Sequence, residues 1–180
     1  MTTKALWWIG GVAAALLAYN ATVTIPVSRA LSDEKDITAV AYRSWLVSPD
    51  AIVFDIWRTT PEASMVKVDR ALFLAASALK NSDYTSVALA YHGHRKLLLD
   101  GARFKAIGME WPDQNPVYVI RTMQADIKTL DGEPAFETWT GGWLGVLGKE
   151  FEQHNDLHKR WWVRDALGLP ADAPLNEATP

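Results

Sequence analysis

The hydrophobic and polar positions divide the chain into one long uncharged stretch and a body of short periodic elements. Between Lys4 and Arg29 there is no charge; residues 5–19 (ALWWIGGVAAALLAY) are strongly apolar and residues 20–28 less so. A helix needs about 20 residues to cross about 30 Å of hydrocarbon, and residues 5–25 supply 21. Trp7 and Trp8 fall where an interfacial aromatic belt would lie. The segment reads as an uncleaved membrane anchor or as a cleaved signal peptide. The anchor is preferred because small residues are badly placed for cleavage: a cut after Ala21 puts bulky Tyr19 at the −3 position, and Ser28-Arg29-Ala30 lies well past the apolar core. Lys4 lies on one side and Arg29, Lys35 and Arg43 on the other, so the charge count alone slightly opposes export. A short signal-like N-terminus stays inside, which favours a periplasmic or extracellular body, or a secreted one after cleavage.

Beyond this segment, Ser32-Asp33-Glu34-Lys35 resembles a helix start, with Ile37, Val40, Ala41 and Trp45 at helical spacing. Residues 51–57 (AIVFDIW) are the clearest strand. Thr60-Pro61-Glu62 opens a helix whose apolar stripe is Met65, Val68, Leu72, Ala75, Ala76 and Leu79. Residues 87–91 and 95–99 form a hairpin about His92-Gly93-His94. Residues 103–107 suit a short helix, 117–121 (VYVIR) a strand and 135–139 a fifth short strand. A long amphipathic helix is predicted from Trp143 to about Leu167, stopped by Gly168-Leu169-Pro170. The order implies an α+β, two-layer domain: a mainly antiparallel four- or five-stranded sheet with helices on one face, preceded by a membrane helix. The expected divisions are 1–28 (anchor or signal), 29–168 (domain) and 169–180 (disordered tail).

Composition then removes function classes. The 180 residues contain no cysteine, which excludes disulfides, thiolate metal sites and cysteine nucleophiles. The net charge of −3 comes without a basic run, so nucleic acid is not an expected partner. No G-x-S-x-G occurs. TWTGGWLGVLGK (138–149) lacks the first Walker glycine, having Trp143 there, and Glu150 stands where Ser or Thr should. No cofactor is expected; Gly142, Gly145 and Gly148 instead predict close backbone packing on one side of a helix.

The four histidines form two pairs, His92 with His94, and His154 with His158 at i,i+4 on one helix face. Together they are candidate metal ligands, although the zincin motif would need Glu where Asn155 stands. Asp55, mid-strand among large apolar groups, is a candidate perturbed acid unless it meets Arg121 or Arg58 or faces solvent. Trp139, Gly141, Gly142 and Trp143 are candidate interaction residues, with Trp161 and Trp162, of which one is expected in the core and the other at an interface. Gly10, Ala14 and Ala18, four apart, are candidates for helix pairing in a homo-oligomer.

Tyr91-His92-Gly93, Asp100-Gly101-Ala102-Arg103-Phe104, Asn115-Pro116-Val117-Tyr118, Thr140-Gly141-Gly142 and Trp161-Trp162 carry a further signal. Across residues 45–163 the chain resembles a group of small bacterial proteins that share a domain of unknown function. That resemblance implies a bacterial, envelope-associated origin and no particular activity. The expected function is a membrane-anchored, non-enzymatic interaction domain of an envelope assembly with a protein partner. The alternatives are a His-ligated metal-dependent hydrolase, with Asp55 or Glu150 assisting, and a sugar- or peptide-binding module built on exposed tryptophans.

Overall fold

The computed structural model describes residues 3–111, 113–137 and 143–170, with side chains from residue 10 onward except 143–147. The uncharged stretch forms one continuous helix, α1 (Thr3–Ala30). Its two ends have different surroundings. From residue 10 to 19 the side chains are exposed or half-buried, and the described part from Gly10 to Ala30 is long and apolar enough to cross a membrane. From Asn20 onward α1 belongs to the domain: Val23, Val27 and Leu31, one stripe at helical spacing, are buried in its core. The expected border at 28/29 is therefore not a structural break.

The polar residues of that end finish an exposed sheet edge. Strand β1 (Ile37–Arg43) pairs only with β2 (Ala51–Thr59), leaving one side free. Asn20 accepts from the Arg43 N–H (2.9 Å) and donates to the Leu46 carbonyl (2.8 Å), and the Thr24 hydroxyl donates to the Ala41 carbonyl (2.8 Å). Unpaired edge groups invite pairing with another chain, and here a helix covers them.

The sheet follows chain order, β1-β2-β3-β4-β5, with β3 (Ser86–Tyr91), β4 (His94–Asp100) and β5 (Ile127–Lys128). Only β2 and β3 are parallel, joined through α2 (Met65–Leu79); the other pairs are antiparallel. Ile52, Phe54 and Ile56 of β2 point to the helical side. There they meet α1, α2, α3 (Gly101–Glu110), α4 (Pro116–Gln124) and the C-terminal helix α5 (Trp143–His158), which continues through a π-helical turn (Lys159–Val163). The opposite face carries a smaller cluster of Val53, Ala88 and Ala90 flanked by Tyr42 and Leu98. The α+β two-layer arrangement, a mainly antiparallel sheet with helices on one face, is thus present.

Individual elements depart from the sequence expectation. Residues 37–43 are a strand rather than a helix, because Ile37, Ala39 and Ala41 alternate inward and β2 offers an edge. Residues 117–121 lie in α4 rather than a strand: Asn115 accepts from the Val117 N–H (2.9 Å) and Pro116 takes the first helical position, so capping overrides the β-branched run. The fifth strand is Ile127–Lys128, and the 135–139 region supplies only the bridge between Lys128 and Pro134. Helix α2 begins after Ser64, four residues beyond Thr60. Among the described residues Gly148 has nothing within 4 Å of a would-be Cβ; Gly142 and Gly145 lie outside the described side chains. Close approach occurs instead at Gly108, where a Cβ would stand 2.3 Å from the Ala76 carbonyl oxygen of α2. The expected tail lies largely outside the described residues.

Candidate functional site: a carboxylate between two histidines

Asp69 lies on the buried side of α2, one turn before Leu72 and Phe73. A carboxylate there must find partners, because an unpaired buried charge is costly. Helix α5 supplies them from positions 154 and 158, one turn apart on one face. His154 Nε2 is 2.7 Å from Asp69 Oδ2 and His158 Nε2 is 3.1 Å from Oδ1, with the two Nε2 atoms 3.1 Å apart. His158 is fully buried and the His154 side chain is 11% exposed. Burial pushes the Asp69 carboxyl up, but the charges and hydrogen bonds of His158 and His154 outweigh it and hold the group below its ordinary value.

One further contact sets the protonation pattern. The Trp162 indole N–H donates to His158 Nδ1 at 2.8 Å. An indole nitrogen only donates, so Nδ1 accepts and the proton of neutral His158 sits on Nε2, facing Asp69. The chain of donors runs Trp162 to His158 to Asp69. The three ligand atoms lie within 4.8 Å of one another, a spacing that could hold a metal ion. Coordination by His158 Nε2 would require its proton to move to Nδ1, where the Trp162 donor already points.

His154 joins this cluster to the surface. It lines a cavity of about 170 Å³ between α2, α4 and α5, with Val66, Val117, Ile120, Arg121, Gln124, Glu150 and Phe151. Val66, Val117 and Phe151 are exposed. The Arg121–Glu150 ion pair (2.5 Å) crosses the rim, and hydrogen bonding to Glu150 followed by its charge raises the Arg121 pKa. Gln124 donates to the Glu150 carbonyl (3.2 Å), while its own side-chain oxygen is buried without a hydrogen-bond partner among the described residues.

The structure thus brings His154 and His158 together, with Asp69, and leaves His92 and His94 exposed on the β3–β4 turn, outside that group. Asp69 was missed by sequence reasoning, although an acid three and four residues before Leu72 and Phe73 on an apolar stripe was a legible signal. Asp55 is fully buried and meets neither Arg58 nor Arg121. It accepts the Gly93 N–H on both oxygens (3.1 and 3.0 Å) and the Tyr42 hydroxyl (3.1 Å), pinning the hairpin turn to the sheet. Burial, then the Asp55 charge, pushes the Tyr42 phenol up to about 12.

Trp161 and Trp162 are both buried, so neither offers a surface to a partner. Trp161 donates to the Ala90 carbonyl (3.0 Å) and sets its edge against Phe54, while Trp162 turns to His158. Trp139, Gly141 and Gly142 lie outside the described residues, as does the side chain of Trp143. No family model, curated protein or solved structure matches the chain.

Proposed function

We propose that the chain is a membrane-anchored, non-enzymatic interaction domain of a bacterial envelope assembly, retained on the membrane by α1 and with its body outside the cytoplasm. The observation that carries this reading is the double environment of α1. A signal peptide is discarded, so its residues cannot be indispensable to the mature fold. Here Val23 and Val27 are core, and Asn20 and Thr24 cover the β1 edge. Cleavage after Ala21 would remove Asn20, and cleavage after Ala30 would remove all four. The contact surface assigned is the α2–α4–α5 groove, whose exposed Val66, Val117 and Phe151 suit an apolar side chain of a protein partner.

N-terminal sequencing and alkaline extraction of the full chain from bacterial membranes test the reading. The expected result is an intact N-terminus and a protein that stays with the membrane pellet. A soluble product beginning after residue 19 would overturn it.

A metal-dependent hydrolase is the second reading, favoured by the spacing of Asp69, His154 and His158. Trp162 stands against it by holding the His158 proton on Nε2. Zinc added to the metal-free full chain is therefore expected to leave the melting temperature unchanged. A one-to-one stabilisation lost in His154→Gln would move the assignment to this reading.

A further inference from the structure

The turn after β1 has the wrong surface for water. Trp45, Leu46 and Val47 are 81%, 50% and 58% exposed, three consecutive apolar residues at the end of the domain from which α1 emerges. Trp45 and Leu46 also hold left-handed backbone conformations (φ 54° and 63°), which side chains with a Cβ disfavour. No core burial compensates that conformation, since all three side chains point outward.

The turn is fastened to α1. Asn20 holds the Leu46 carbonyl. The Arg43 guanidinium stacks on the Tyr19 ring (4.1 Å), donates to the Thr22 hydroxyl (3.2 Å) and donates to the Pro49 carbonyl (2.6 Å) on the far side of the turn. Arg95 supports the turn from the sheet, donating to the Ser44 hydroxyl (2.7 Å) and lying under the Trp45 ring (5.0 Å). The three apolar side chains are thereby fixed in position relative to the helix at residues 19–22.

Length decides which solvent they meet. The uncharged part of α1 is bounded by the Lys4 charge on one side, and on the other the domain takes hold of it from Asn20 onward. At about 1.5 Å per residue the 15 residues between them, 5–19, reach about 22 Å, short of the ~30 Å hydrocarbon layer. A spanning α1 must therefore draw residues 20–22 to the hydrocarbon boundary, and the turn fastened there comes with them. We infer that Trp45-Leu46-Val47 is a membrane-interface loop that inserts into the headgroup–acyl boundary of the bilayer crossed by α1, with Trp45, Tyr19, Arg43 and Arg95 at headgroup level. Aromatic and arginine side chains suit that layer, one end apolar and the other wet. The partner is a lipid surface, and the inference rests on the anchor reading given above.

The absence of native cysteine makes the test direct, since any introduced cysteine is the only labelling site. The full chain carrying Val47→Cys, Leu17→Cys or Met109→Cys is nitroxide-labelled and reconstituted in vesicles of phosphatidylcholine and phosphatidylglycerol (3:1). Relative collision with oxygen and with a water-soluble nickel chelate then reports depth. Val47 has an ordinary negative φ, Leu17 is exposed on the free part of α1, and Met109 is exposed at the end of α3 away from the turn. The expected pattern is lipid-like collision at 17, a shallower but still lipid-like value at 47, and aqueous collision at 109. A lipid-like label at 17 with an aqueous label at 47 overturns the loop and leaves the anchor standing. An aqueous label at 17 overturns the anchor and the loop with it. Equal lipid-like values at 47 and 109 overturn the loop by removing its distinction from the rest of the surface.

Discussion

Asp69→Ala removes the acceptor that two imidazoles share. The carboxylate is 1% exposed and lies 2.7 Å from His154 and 3.1 Å from His158. His158 is fully buried and loses the acceptor of its Nε2–H when Asp69 is gone, and one unmet buried donor costs about 1–3 kcal/mol. His154, beside the cavity, recovers part of its loss from solvent. Each of the two hydrogen bonds to the ionised carboxylate is worth about 1.5–3 kcal/mol, so with the partial recovery at His154 the total is about 3–5 kcal/mol. At about 2–4 °C per kcal/mol for a chain of this size, the melting temperature falls by about 6–20 °C. Asp69→Asn keeps an acceptor for one histidine and turns a donor toward the other, so its effect is intermediate. Thermal melts of the full chain in detergent micelles, followed by tryptophan fluorescence near neutral pH, measure these differences. The folded Asp69 pKa lies below its ordinary 3.8, so its contribution is complete above that value and is lost as pH falls through the lower folded one. The gap between wild type and Asp69→Ala should therefore persist to about pH 4 and close only below it. A gap under about 2 °C at neutral pH, or one already closed near pH 6, would refute the reasoning.

Two further outcomes follow from single contacts. Gly108→Ala forces a Cβ against the Ala76 backbone and should cost about 1–3 kcal/mol, whereas Gly148→Ala meets nothing within 4 Å and should gain about 0.5–1 kcal/mol of helix stability; melts of the two variants should move in opposite directions. In a spectrophotometric titration of the phenols, one tyrosine should ionise near 12, and Asp55→Asn should bring it down by removing a negative charge and an acceptor from Tyr42. An unchanged Tyr42 transition in Asp55→Asn would show that burial alone raises it.

The sequence revealed the layers better than the pairing. Alternation and hairpin chemistry located β2, β3 and β4, and the His92-Gly93 turn has the two positive φ values that a two-residue hairpin needs. The errors came where two local signals competed. Ile37, Val40 and Ala41 satisfy a helical spacing, while Ile37, Ala39 and Ala41 satisfy a strand, and only the presence of the β2 edge chooses between them. In α4 a β-forming VYVI run competes with the Asn-Pro cap that governs it. At the candidate site the i,i+4 histidines were legible because helical geometry is local. Their meeting with Asp69, 85 and 89 positions earlier, was not, since it depends on how α2 and α5 cross. The burial of both Trp161 and Trp162 was hidden by the π-helical turn, whose wider spacing differs from the 3.6-residue period used to judge their faces.

Hydropathy averages treat α1 as one object, yet its described side chains are exposed or half-buried at residues 10–19 and dock on the domain core from Asn20 onward. An apolar side chain is indifferent between lipid and protein core, so Val12 and Val23 score alike while one is exposed and the other fully buried. A polar side chain is not indifferent, because in lipid its donors and acceptors need partners that only protein supplies. On the anchor reading, Asn20 and Thr24, at i,i+4 on the stripe that includes Val23, Val27 and Leu31, therefore mark where lipid would give way to protein. Read this way, the weakening of hydropathy after Tyr19 is not a poor end to a membrane span. It is the start of a docking face, and it makes α1 continuous with the domain core. On the anchor reading proposed above, such a helix would set the height and tilt of the domain above the bilayer, so a change in the α1–β1 contacts should alter the seating of the whole body on the membrane.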